Sequence, residues 1–128
     1  MSAKKVVFVI APEGFNDYEL LHPKAILENE GIKVDIASTI VGKCYGMQGT
    51  EIESTMTIEQ VVPAEYDGIV AVGGSGALKY LSENRALMDM FKRFNEQRKI
   101  ISAIGRARHA LHNAGFFGTC LLYTSDAA

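Results

Sequence analysis

Cysteine is scarce in this chain: Cys44 and Cys120 are the two present in 128 residues. They have no metal-ligand spacing, and two thiols do not make the framework of a disulfide-stapled domain. The expected state is reduced thiols. With no apolar signal region at the N-terminus, the sequence reads as cytoplasmic. No apolar run approaches the ~20 residues a helix needs to cross a bilayer, so no membrane span is expected. An excess of one charge is also missing. Thirteen basic and fifteen acidic residues are interspersed and give a formal net charge of -2. That balance supplies no electrostatic basis for binding nucleic acid or an anionic membrane, and a small neutral or polar ligand fits better. Internal repeats and low-complexity linkers are absent too. With 48% hydrophobic residues, the chain is long enough to bury one core and reads as one domain.

What the sequence does have is a succession of short apolar runs alternating with helical stripes. Val6 to Ala11 is a continuous, mostly β-branched run, the pattern of a parallel strand buried on both faces. Asn16 or Asp17 is placed to cap a helix carrying Leu20, Leu21, Ile26 and Leu27, which stops at Gly31. Pro23 lies inside that helix and, lacking a backbone donor, is expected to kink or restart it. Ile32 to Ala37 alternates with a period of two, so strand, helix and strand form a right-handed crossover unit. Glycines 42, 46 and 49 punctuate a small hairpin or edge excursion around Cys44-Tyr45 and Ile52. Thr57 is placed to cap a short turn that Pro63 ends.

Ile69 to Val72 is a short apolar strand followed at once by Gly73-Gly74-Ser75-Gly76 and a helix-like Ala77 to Leu81. The glycine cluster fits neither G-x-G-x-x-G nor a Walker loop. Leu87, Met90, Phe91 and Phe94 then recur at helical spacing as a core stripe. Ile100 to Ile104 is a further strand that turns sharply at Gly105 into a helix from Arg106 to Ala114, ended by Gly115. These four strands are expected to be neighbours in one parallel sheet. Ligands of open α/β sheets sit outside the carboxyl ends of the strands, which directs attention to the glycine loop and to the corner at Gly105. That corner residue has no side chain. His109 and His112 are three apart on one helix, with no third ligand to make a metal site; His22 reads as surface.

Taken in order and at these spacings, four stretches resemble the ThiJ/PfpI family of glyoxalase-III-like, deglycase and peptidase enzymes. They are Gly14-Phe15-Asn16-Asp17-Tyr18-Glu19-Leu20, the Gly31-Ile32-Lys33-Val34 turn, the Tyr66-Asp67-Gly68-Ile69-Val70 strand running into Gly73-Gly74, and the strand, corner and helix from Ile100 to Leu111. The likeness extends from about Lys4 to Gly118. It implies a flavodoxin-like three-layer α/β sandwich with a parallel sheet, like the class I glutamine amidotransferases. It also implies Glu19 as the acid or base, Gly105 at the nucleophile position and the backbone amides of Gly74 and Arg106 as an oxyanion hole. No metal and no cofactor are implied. The ligand would be a small aldehyde or a peptide-like molecule, and the assembly a homodimer.

The sequence departs from the family at the corner. Gly105 stands where the family has cysteine, and Arg106, Ala107 and Arg108 follow where it usually has histidine or a small residue, then glycine and proline. Glycine offers no nucleophilic lone pair, so cysteine-dependent activity is expected to be absent. The alternative is a non-catalytic ligand-binding or dimeric interaction module. The family continues beyond Gly118 with further strands and helices. Here Cys120 to Ala128 resembles a translated sequencing adapter, so a partial domain over 1–119 and a foreign tail over 120–128 are expected.

Overall fold

The computed structural model describes residues 4–116. Five parallel strands form the main sheet: β1 (Lys5–Val9), β3 (Lys33–Ser38), β6 (Met56–Thr57), β7 (Gly68–Ala71) and β8 (Ile100–Ala103), in the order β6-β3-β1-β7-β8. The four strands expected to be neighbours are neighbours. A second sheet, in the order β2-β4-β5, joins β2 (Glu13–Phe15) to the hairpin of β4 (Gly42–Gly46) and β5 (Glu51–Ser54). The sequence reading has the hairpin but not β2, which pairs parallel to β4. Three helices, α1 (Asp17–Asn29), α2 (Arg85–Glu96) and α3 (Arg108–Asn113), flank the main sheet.

The continuous apolar run of β1 follows from its central place. Val7 and Val9 point into one core with Ile69, Ala71 and Ile101 of the sheet and Leu87, Phe91, Phe94 and Leu111 of α2 and α3. Phe8 and Ile10 point into the other, with Phe15, Leu20, Ile36 and Cys44. Side chains alternate along a strand, so both halves of the run are buried, each large side chain contributing about 1.5–3 kcal/mol. The result is three layers: α2 and α3, the main sheet, then α1 with the second sheet. This is the flavodoxin-like arrangement expected.

Several local expectations are corrected. Pro23 does not restart α1, which runs unbroken from Asp17 to Asn29; the donor it lacks would serve only the Glu19 carbonyl, and one missing bond does not end the helix. Pro63 opens a second 3-10 turn, Pro63–Glu65, after Ile58–Gln60, because its fixed φ suits a first helical position. Ala77–Leu81 is a π-type turn, and the corner passes through a 3-10 turn, Gly105–Ala107, before α3. Apart from Asp17, only Leu20 of α1 is fully buried; Leu21 and Ile26 are exposed. The expected foreign tail lies outside the described residues.

Candidate functional site

The chain leaves β1, crosses to β3 on one side and returns to β7 on the other, so the order reverses at β1. A crevice opens at the carboxyl ends there. Three segments reach it: the β2–α1 junction, the loop after β7 and the corner after β8. Asn16 caps α1, its side chain accepting from the amides of Tyr18 at 3.1 Å and Glu19 at 3.2 Å, which places Glu19 in the first turn. The Asn16 amide donates to the Gly73 carbonyl at 2.8 Å, and the Gly73 amide donates to Glu19 Oε1 at 3.0 Å. These two bonds fasten the start of α1 to the end of β7.

Only glycine fits at 73. A β-carbon there would lie 2.6 Å from the Ile104 carbonyl oxygen and 2.9 Å from the Arg106 amide, and would press on Glu19 Oε1. Backbone cannot yield as a side chain does. At the neighbouring Gly74 a β-carbon would meet the Asn16 amide and the Gly14 oxygen, each at 2.5 Å. The corner has a different character: Gly105 has φ +55, a left-handed conformation, and a β-carbon on it would stand 2.7 Å from Glu19 Oε2 and 2.8 Å from Oε1.

The structure therefore brings Glu19, the α-carbon of Gly105 and the amide of Arg106 around Gly73, while Gly74 packs toward Asn16 and Gly14. Sequence reasoning singled out the Gly73-Gly74 loop but gave no role to Gly73, whose amide holds the carboxylate. Its signal was a pair of adjacent glycines directly after an apolar strand. The assembly offers a carboxylate able to accept or deliver a proton and a cluster of main-chain donors. Cys44 is elsewhere, fully buried in the core beneath α1. Burial pushes its thiol up, partly offset by a hydrogen bond with the Ser38 side chain. Arg108, His109 and His112 line the exposed side of α3. Among the described residues no group of three or more His, Cys, Asp or Glu could hold a metal ion, and no helix is long and apolar enough to cross a membrane.

Fold and site together define a flavodoxin-like α/β domain with a glutamate set against a glycine loop and a glycine corner at the carboxyl edge of its sheet. The chain belongs to the DJ-1/PfpI family, whose sequence model matches residues 4–125. It is 44% identical over 115 residues to an uncharacterised protein of Methanocaldococcus jannaschii, covering 90% of this chain and 56% of that one. It is 34% identical over 98 residues to a protein named deglycase in Pyrococcus horikoshii, covering 77% and 58%. A crystal structure of a ThiJ/PfpI domain protein from Brachyspira murdochii superposes with a TM-score of 0.85 at 27% identity, over 89% of this chain and 65% of that one. The chain thus spans between half and two thirds of the length of these relatives.

Proposed function

We propose that this domain binds a small carbonyl compound or peptide-like ligand at Glu19 and lacks the covalent cysteine chemistry that its family resemblance implies. One observation carries the reading: the Glu19 carboxylate, held by the Gly73 amide, lies against the bare α-carbon of Gly105. Glu19 then receives a hydrogen-bond donor of the ligand, and the amides of Gly74 and Arg106 polarise its oxygen. The relatives named deglycase favour a carbonyl-derived ligand. Without a nucleophile, binding and an oxyanion hole leave only a modest residual acceleration. Guanidinium remains protonated in water, so Arg106 is no substitute. The test is methylglyoxal consumption by the purified protein beside its Cys44→Ser, Cys120→Ser double variant, expected at background in both. Turnover in the unaltered chain that vanishes in the double variant would show a cysteine reaching the pocket and overturn the reading.

A second role, self-association as a homodimer, is favoured by the solvent face of α1. Tyr18, Leu21 and Ile26 are 66%, 40% and 63% exposed, and with His22 and Ala25 they form one helical stripe with no carboxylate, lysine or arginine on it. Tyr18 and His22 stack edge to face at 5.5 Å. The exposed Tyr45 and Met47 stand on the hairpin that Asp17 ties to the start of α1. An apolar stripe of this kind facing water supports reading this face as an association surface.

A further inference from the structure

Of the four methionines among the described residues, three are set into the protein. Met90 is buried, and Met56 and Met88 pack against the core from partly covered positions. The Tyr66 hydroxyl also lies 3.6 Å from Met56 Sδ. Met47 differs from them, being 50% exposed. Oxidation of thioethers follows exposure, so Met47 is the one a hydroperoxide reaches first.

Met47 is also held in one place. Its amide donates to the Phe15 carbonyl at 2.8 Å, and the residues on either side of it meet the first turn of α1. Gly46 lies so close to the Asp17 carboxylate that a β-carbon there would stand 2.5 Å from Oδ2, and the Gln48 amide donates to Asp17 Oδ1 at 2.8 Å. The turn bearing Met47 is thereby fastened at the end of the α1 stripe where the exposed Tyr18 stands. A symmetric contact between two copies sets one face against itself. The stripe has no carboxylate, lysine or arginine to repel its own image, so a second copy of this chain is the occupant it suits.

We infer that Met47 is an oxidation site that governs self-association: a hydroperoxide converts its thioether to the sulfoxide, and the sulfoxide weakens the contact between two copies. The inference rests on the homodimer proposed above. In the reaction a sulfur lone pair takes one oxygen of hydrogen peroxide. The O–O bond breaks, an S–O bond forms, sulfur is oxidised by two electrons, and the departing hydroxide gains the proton of the transferred oxygen and leaves as water. A strong hydrogen-bond acceptor then stands where the side chain was apolar, and burying it without a donor costs free energy. A contact that covers Met47 shields it, so the oxidant attacks the separated copy and the modified copy pairs less readily.

The test treats the full chain with hydrogen peroxide and reads each methionine by peptide mass spectrometry and the assembly by sedimentation velocity. Met47 is expected to oxidise about tenfold faster than Met88 or Met90. Its rate should fall about fivefold as protein concentration rises from the range of separated copies to that of pairs, because association protects it by mass action. The oxidised chain should dissociate at roughly tenfold higher protein concentration than the untreated one. Met47→Leu, which keeps an apolar side chain but has no sulfur, should pair normally and lose this response to peroxide. Met47 oxidation at the same rate at every concentration of a pairing chain, unchanged assembly after oxidation, or an equal response in Met47→Leu overturns the inference and leaves the homodimer standing. An untreated chain that is monomeric at every concentration overturns both.

Discussion

Glu19 and Gly105 face each other across the crevice so closely that a β-carbon at 105 would stand 2.7 Å from one carboxylate oxygen and 2.8 Å from the other. Any side chain at the corner must therefore displace the carboxylate, and the end of a rotatable side chain is able to yield. The corner and the glutamate form a single chemical unit.

Gly105→Cys tests that coupling. The new thiol would sit beside the Glu19 carboxyl group, and any negative charge on that group opposes formation of thiolate. Its pKa should therefore fall, by about one unit, when Glu19→Gln is added. Titration of thiol reactivity across pH in the single and double variants measures this. Identical curves, each that of a free thiol, would separate the corner from Glu19.

Gly73→Ala should destabilise the fold by about 1–3 kcal/mol, because its β-carbon meets the Ile104 carbonyl and the Arg106 amide rather than a movable side chain. Urea denaturation should show a lower midpoint with an unchanged slope. An unaltered midpoint would mean that the ends of β7 and β8 are less tightly apposed than described.

Asp17 is buried and accepts hydrogen bonds from the amides of Gln48 at 2.8 Å and Thr50 at 2.9 Å. Burial pushes its carboxyl up, but the hydrogen bonds from the Thr50 side chain and from the Gln48 and Thr50 amides outweigh it and leave the pKa below the usual value. A pKa lower in the folded than in the unfolded state contributes stability that is complete above the ordinary carboxylate range. That contribution is lost as pH falls through the folded value, below about 4. Asp17→Asn should cost about 1–3 kcal/mol at neutral pH, since the amide cannot accept both bonds. It should also flatten the acid limb of the stability curve; an unchanged limb in chemical denaturation between neutral and acid pH would rule this role out.

Ile26→Lys places a charge at an exposed position on the α1 stripe, where it should change stability by no more than about 0.5 kcal/mol. If the stripe is the contact between two copies, the variant should dissociate at roughly tenfold higher protein concentration than the unaltered chain. Sedimentation velocity over a concentration series reads this directly. A monomer at every concentration in the unaltered chain would exclude the homodimer.

The sequence by itself determined the elements whose information is local. The Val6 to Ala11 run announced a strand buried on both faces, the Leu87, Met90, Phe91 and Phe94 stripe announced α2, and Asn16 or Asp17 announced the start of α1, because periodicity and capping act over a few neighbouring residues. Glu19, Gly74, Gly105 and Arg106 were nameable only through the pattern of a family. Tertiary structure decided the rest. Strand β2 exists because Glu13 to Phe15 finds β4, with the Tyr45 amide donating to the Pro12 carbonyl at 2.9 Å, and three residues carry no period that could foretell this. Gly73 reads as an ordinary turn residue until Glu19, Ile104 and Arg106 converge on it from three separate segments. Leu21 and Ile26 read simply as apolar residues of a helix, and the packing of α1 turns them toward water. In each case the deciding contact joins residues far apart in the chain, and the meaning of a glycine or an apolar side chain lies in what the fold sets against it.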